Sequence, residues 1–366
     1  MQQYDYVIVG AGLFGATFAY LATQQGKKCL VLDKRDHIAG NAYTEQIDGI
    51  AVHRYGAHIF HTADKALWDW VNKFAHFVPY VHKVQAVHNG KRYSLPFSMY
   101  TFAQMWGVQT PQEAREKIKS QCLAIEHPAN LEEWALQQVG KDIYEALIRN
   151  YTAKQWGRDC RDLPAAILKR IPLRFAYNDN YFDDAYQGIP QEGYTAMVEA
   201  MLQGTDVLLG VDYHDYARNA PVPRCKTLYT GSIDRFFDYR LGALAYRSIR
   251  LETEVLSQEY FQDRAVVNYP DLDVPYTRII EHKHFLMTQS AHTVVSREYS
   301  AEWQVGVEPY YPINDETNNH LYAAYHALSE ERPDVIFGGR LGSYRYYDMS
   351  TAIQAAMKTA DEELHR

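Results

Sequence analysis

Three glycines, Gly10, Gly12 and Gly15, stand in the order G-x-G-x-x-G within Val7-Ile8-Val9-Gly10-Ala11-Gly12-Leu13-Phe14-Gly15. At a pyrophosphate each has its own task. The first permits a tight turn, the second lets backbone approach the phosphates, and the third lets the following helix lie close on the strand. The amides opening that helix would meet the phosphates with a partial positive charge. Asp33 follows Gly15 by 18 residues, where a carboxylate can hold a ribose hydroxyl. Lys34 and Arg35 come next and read as surface charge, as cofactor contacts or as partners for a 2′-phosphate. This spacing predicts a bound dinucleotide, whose ordinary use is hydride transfer.

Other reactive side chains are less ordered. His58 and His61 stand three apart in GAHIFH, but no third ligand follows at a sensible spacing, so no metal is expected. Cys29, Cys122, Cys160 and Cys225 are scattered, with no C-x-x-C. They read as free thiols in a reducing cytoplasm. The 30 tyrosines among 366 residues are a marked excess. A flat apolar face with a hydroxyl suits sugars and nucleobases, and equally a wet aromatic core.

The elements that must position these groups can be read from pattern. Tyr6–Val9, the glycine turn, a helix through Ala22 ending near Gly26, and Cys29–Leu32 form a βαβ opening. Val84–His88 and Lys91–Leu95 flank Asn89-Gly90, a type I′ hairpin signal. Thr110-Pro111-Gln112-Glu113 is a capping box with proline at the first helical position, and Asn130-Leu131-Glu132-Glu133 repeats that logic before a run to Asn150. Arg247–Glu254, Ala265–Tyr269, Tyr276–Lys283 and Thr293–Tyr299 read as antiparallel strands. Val335–Phe337, the turn Gly338-Gly339-Arg340 and a helix from Asp348 to Leu364 return to α/β.

The fold class expected is α/β: a Rossmann-like FAD-binding domain built from separated segments, with an inserted helical domain and an antiparallel β-sheet domain. Residues 1–80, 194–245 and 320–366 are assigned to the first. Residues 100–168 are assigned to the helical domain. Residues 81–99, 169–193 and 246–319 are assigned to the sheet that meets the substrate. A net charge of −8 argues against a general nucleic-acid or anionic-membrane partner, and no apolar run reaches the length of a membrane span.

Ala19, Gly26, Asp33 and Ala39-Gly40-Asn41 extend the opening into a layout that resembles the FAD-binding families of the glutathione-reductase type. Longer blocks are more specific: Lys34 to Tyr43, Tyr55 to Thr62, Tyr151-Thr152-Ala153-Lys154-Gln155-Trp156-Gly157, Asp179-Asn180-Tyr181-Phe182, Val274 to Lys283, Glu308-Pro309-Tyr310-Tyr311-Pro312 and Gly338-Gly339-Arg340-Leu341. Together they resemble the bacterial UDP-galactopyranose mutase family, nearly end to end.

That resemblance implies an isomerase interconverting UDP-galactopyranose and UDP-galactofuranose with no net redox change. The flavin must be reduced: its N5 attacks the anomeric carbon as UDP leaves, the ring opens through a flavin iminium, and it recloses. By the same resemblance Arg170 and Arg278 are the catalytic diphosphate arginines, and a mobile loop at about 157–169 carries Arg170 inward. Tyr151 stacks on uracil beside Thr152. Trp156, Tyr181, Asn268, Tyr311 and Tyr346 complete the substrate side. Gly10, Gly12, Phe14, Gly15, Asp33, Lys34, Asn41, His58, Phe60, His61, Arg247, Gly339, Arg340, Tyr347 and Asp348 are expected on the cofactor side. An external reductant such as NAD(P)H, a homodimer and a cytoplasmic location are implied as well. Departures from the family pattern are Asp33 for glutamate, Ala39 for glycine, and His82 where many members have asparagine near the sugar. A flavin oxidoreductase of amine- or alcohol-oxidase type is the competing expectation.

Overall fold

The computed structural model describes residues 4–167, 173–219 and 225–365, with the backbone alone for Ala166. A five-stranded parallel sheet runs in the order Asp206–Leu209, Cys29–Asp33, Tyr6–Val9, Lys226–Tyr229, Val335–Phe337. Its central strands are apolar on both faces because helices cover both, as parallel sheets require. Helix Leu13–Gln24 buries Phe14, Ala16, Phe18, Ala19 and Ala22, and the final helix Met349–Leu364 meets the same core through Ile353, Ala356 and Ala360. Small residues on facing sides let these two helices approach closely.

The second sheet has seven strands in the order Tyr311–Pro312, Tyr246–Leu256, Thr293–Glu302, Arg278–Glu281, Val266–Asn268, Val84–His88, Lys91–Leu95. It is antiparallel except where Val266–Asn268 pairs parallel with Val84–His88. The Asn89-Gly90 turn joins its last two strands, with Asn89 and Gly90 both at positive φ (49° and 73°). Tyr186–Pro190 corrects one expectation. It leaves the substrate sheet and pairs with Phe60–Thr62 and Phe77–Pro79 in a separate three-stranded sheet.

The helical segment has its own core, including Phe102, Ile118, Leu131, Ala135, Ile143, Leu147 and Ile148. The Thr110 capping box forms, with Thr110 Oγ1 accepting from Glu113 N. The run from Asn130 to Asn150 is not one helix. Leu131–Gln138 stops before Gly140, whose φ of +76° breaks the ladder. A π-turn, Tyr144–Ile148, then leads into Arg149–Trp156, the helix carrying Tyr151. Among the described residues no helix is long and apolar enough to cross a membrane.

Candidate active site

The glycine turn after Tyr6–Val9 is built so that only backbone lines it. A Cβ on Gly10 (φ +105°) would lie 2.2 Å from Thr230 Oγ1, and one on Gly15 would lie 2.0 Å from the Gly10 carbonyl oxygen. Gly12 is the N-cap of Leu13–Gln24 and offers no capping side chain, so the first amides of the helix keep their donors. Ala39, left-handed at φ +71°, donates its N–H to Ala11 O at 2.8 Å and brings Gly40 against Gly12. On the far side Gly338 lies against the Phe14 ring, where a Cβ would come within 2.5 Å, and Gly339 has φ +72°. These features fit the pyrophosphate of a dinucleotide.

Asp33 is buried and braces that turn. Its Oδ2 accepts from Ala11 N at 2.8 Å and its Oδ1 from Arg35 N at 2.9 Å. Lys34 and Arg35 both pair with Glu308, at 2.6 and 2.9 Å, and Arg35 also donates to Asn41 Oδ1 at 2.9 Å. To the three readings of this basic pair the structure adds a fourth role, an ion-pair network to the segment preceding Tyr311. Despite its own burial, the Glu308 carboxyl is held below the ordinary value by those two cations.

Arg340 donates to the carbonyls of Tyr310 (3.1 Å) and Tyr347 (2.6 Å). His58 Nδ1 bonds Gly56 O at 2.7 Å, and burial brings its pKa down to about 4, with Arg340 adding to that direction. His61 Nδ1 lies 2.5 Å from Asp184 Oδ2 and its ring stacks on Phe182 at 3.7 Å. Asp348 caps Met349–Leu364 by accepting from Thr351 N at 2.8 Å. Burial opposes its ionisation, but those bonds and His61 hold its pKa below normal. The Phe60 ring is different: it is sealed among Trp68 and Phe77, so a cofactor contact there would fall to its backbone.

Of the residues expected on the substrate side, Tyr151, Tyr181, Asn268 and Tyr311 gather around Arg278. It stands opposite both Asn268 and Glu298 in the sheet register, with Nε 3.0 Å from Glu298 Oε1. Burial alone would lower its pKa. Glu298 and the hydroxyls of Tyr151, Tyr311 and Tyr181 outweigh burial and hold it above the ordinary arginine value. Tyr151 is pushed up to about 12 by burial, with Arg278 pulling downward. Tyr311 also reaches about 12, through burial first and then the neighbouring Tyr346 and Glu298. Tyr311 and Tyr346 are 5.8 Å apart between ring centroids, each with the Arg340 guanidinium 5.4 Å away. Arg340 thus joins the cofactor-side residues to the substrate-side ones. Asn268 Oδ1 is buried with no partner among the described residues. Such an acceptor is expensive to leave unpaired, so it marks a place where a ligand donor would bind.

Tyr181 and Tyr346 are the exposed members, at 44% and 50%. Thr152 is buried inside the helix. Arg247 donates to Gln155 O (3.1 Å) and Ser300 Oγ (2.7 Å), so here it clamps the end of the Tyr151–Trp156 helix onto the sheet. Arg170, expected as the second diphosphate arginine, lies outside the described residues, as do the last two positions of the expected 157–169 loop.

Glu298 escaped the reading of the sequence. Its one signal was an acid inside the strand Thr293–Glu302, soon after the buried run Thr293 to Ser296. His82, noted only as a departure, is buried against Tyr181 and Phe182. Burial lowers its pKa to about 3, helped by Arg278 and His61, so it serves as a neutral hydrogen-bonding group.

Comparison with known proteins agrees with this arrangement. The sequence profile of UDP-galactopyranose mutase matches residues 146–346, and that of an NAD(P)-binding Rossmann-like domain matches residues 8–74. A probable UDP-galactopyranose mutase of Klebsiella pneumoniae is 41% identical, covering 100% of this chain and 96% of the relative. A dTDP-fucopyranose mutase of Escherichia coli is 37% identical over 97% of each. A crystal structure of reduced UDP-galactopyranose mutase shares the fold, with a TM-score of 0.76 at 15% identity, covering 100% of this chain and 94% of that one. This chain belongs to the UDP-galactopyranose mutase family.

Proposed function

We propose that this protein interconverts UDP-galactopyranose and UDP-galactofuranose, with FAD held in its reduced form by the glycine cradle. The observation that carries the reading is the single cluster of Arg278, Tyr151, Tyr181, Tyr311 and Tyr346, joined through Arg340 to the cofactor side. The main chain at Gly10, Gly12 and Gly15, with Asp33, Asn41, Gly339 and Arg340, would hold the cofactor. When bound, reduced FAD supplies a nucleophile for the anomeric carbon without net redox change.

The chain's own residues have three tasks. Arg278 meets the negative charge that grows on the departing diphosphate, through charge-assisted hydrogen bonds. Arg170, by family resemblance, would supply a second such contact. Tyr311 and Tyr346 offer hydroxyls to the same diphosphate, and burial, which raises the Tyr311 pKa to about 12, keeps that hydroxyl a donor at neutral pH. Tyr151 and Trp156 give flat faces to the uracil and the sugar, which keeps UDP close for recombination. Asn268 and His82 can take the polar edges of the sugar.

The test is product analysis with UDP-galactofuranose, with and without chemical reductant. Reduced enzyme should yield UDP-galactopyranose, and oxidised enzyme should leave the substrate unchanged. A parallel arm with dTDP-fucofuranose separates the two sugar nucleotides named for its relatives. Failure of fully reduced enzyme on both would overturn the reading. Flavin bleaching by an amine or alcohol would identify an oxidase instead. An NAD(P)H-type reductant, a homodimer and a cytoplasmic site of action are proposed with this reading. The four free cysteines are consistent with a reducing compartment.

A further inference from the structure

Lys154 stands between Tyr151 and Trp156 in the helix Arg149–Trp156. Its ammonium leaves that helix and enters the turn joining Val266–Asn268 to Arg278–Glu281. There it donates to four carbonyls: Tyr269, Asp271 (2.8 Å), Val274 (2.9 Å) and Tyr276 (3.0 Å). An ammonium has three hydrogens, so these are shared among four acceptors. The turn begins beside Asn268 and ends on Arg278, and Tyr269 N closes it by donating to Thr277 O at 2.9 Å. Its outer side is held by the β-hairpin tip. Asp271 pairs with the His88 ring and accepts from Asn89 N at 2.8 Å.

We propose that Lys154 is a positioning residue for nucleotide-sugar binding, fixing the Asn268–Arg278 turn to the helix that presents Tyr151 and Trp156. The inference rests on the function proposed above. Arg278 and Tyr151 come from distant parts of the chain, yet both must meet one ligand. Lys154 is the direct tie between their elements, so its charge sets the distance between the diphosphate end and the base end of the cleft. The charged and titratable groups about it are Asp271, Asp273, Tyr269 and Tyr276 of the turn, His88 of the hairpin, and Tyr151 of its own helix. Burial brings the Lys154 pKa down to about 8, with Asp271 and Asp273 acting upward. A diphosphate arriving nearby favours the charged form. By reciprocity, the charged form binds the diphosphate more tightly. The affinity should therefore be full below about pH 8 and decline above it.

The experiment titrates UDP onto the oxidised, FAD-loaded protein between about pH 7 and about pH 8.8, below the ionisation of uracil. Wild-type affinity should fall about fivefold across that range, an energy of about 1 kcal/mol. Lys154→Met, with FAD content and thermal midpoint checked, should bind UDP about tenfold more weakly at pH 7 and lose the pH dependence. Wild-type affinity that stays level to pH 8.8, or a folded Lys154→Met within twofold of wild type at pH 7, would overturn the proposal. If Lys154→Met does not fold, the wild-type titration decides. Since UDP binding is read without turnover, an inactive reduced enzyme would sink the mutase reading while leaving this result standing.

Discussion

Arg278 Nε lies 3.0 Å from Glu298 Oε1 across neighbouring strands, yet that N–H makes no hydrogen bond among the described residues. The pair is electrostatic, and the donors of the guanidinium remain available to a second anion. Removing one such donor group from a water-poor site typically costs about a hundred- to a thousandfold in turnover. Arg278→Ala should lose at least that much in kcat/KM while retaining flavin, because among the described residues its ion pair is to Glu298 and not to the cofactor cradle. Lys should not restore it, since a point charge cannot replace a planar fork. An Arg278→Ala enzyme close to wild type in single-turnover assays would refute this role.

Glu298 would compete with the proposed diphosphate for the same arginine. Replacing it by glutamine removes a negative charge from beside Arg278. UDP should then bind more tightly to Glu298→Gln, by about three- to tenfold at low salt, with the gain shrinking as salt is added. Calorimetry at two ionic strengths checks both the sign and the screening.

Gly157 ends the Tyr151 helix in the left-handed region at φ +66°, and a Cβ there would lie 2.9 Å from Arg247 Nη1. Gly157→Ala must therefore both strain the backbone, at a cost of about 1 kcal/mol, and displace the clamp that Arg247 forms on Gln155 O. UDP affinity should fall in Gly157→Ala and in Arg247→Ala by similar factors. The double variant should be little worse than either, as expected when both act through one contact. Additive losses would show that the two residues act separately.

The parts legible in the sequence were those fixed by local chemistry. G-x-G-x-x-G needs no partner to declare its turn, Thr110 caps its helix as its spacing predicts, and the last helix, expected from Asp348, starts at Met349 with Asp348 as its cap. What was not legible depends on register. Glu298 matters because it falls opposite Arg278, and nothing in YTRII or SREYS states which residues will face each other. The break at Gly140 and the π-turn after it were hidden because the apolar run continues through them. Tyr186–Pro190 changed sheets because its partners, Phe60–Thr62 and Phe77–Pro79, lie more than 100 residues away. The tyrosine excess divided as both readings allowed. Tyr194, Tyr325 and Tyr344 are core, whereas Tyr181 and Tyr346 remain open to solvent.

The cradle makes a steric prediction. With its Cβ only 2.0 Å from the Gly10 carbonyl oxygen, Gly15→Ala must push the helix Leu13–Gln24 away from its strand. Gly10→Ala adds a clash with Thr230 Oγ1 at 2.2 Å to a positive φ. Both variants should be purified with little or no visible flavin absorbance. Gly26→Ala is the control, because its Cβ would meet nothing within 4 Å. That variant should keep its flavin and show only the modest backbone strain of a helix end. A Gly15→Ala protein with full flavin content would contradict the close-packed turn.

Three histidines give stability a defined dependence on pH. His58 is lowered to about 4 and His82 and His282 to about 3, in each case chiefly by burial. His282 is held neutral between His53 N and Ser296 Oγ, at 3.3 and 2.8 Å. In the unfolded chain each returns to an ordinary value near 6.5. Between these limits the unfolded state binds protons that the native state refuses, so stability is fully present above about pH 6.5 and is lost as the pH falls. By about pH 5.5 each contributes a loss of about 1.4 kcal/mol, before the carboxylates begin to titrate. Urea midpoints should therefore drop steadily from about pH 7.5 to about pH 5. His53 and His214 are lowered by burial too, so His282→Gln, which keeps a polar side chain but cannot take up the proton, should lower the starting stability and make the slope shallower without abolishing it. A wild-type midpoint that does not move over this range would show that these rings titrate in the native protein as they do in the unfolded chain, which their burial beside Arg278, Arg340 and Arg54 argues against.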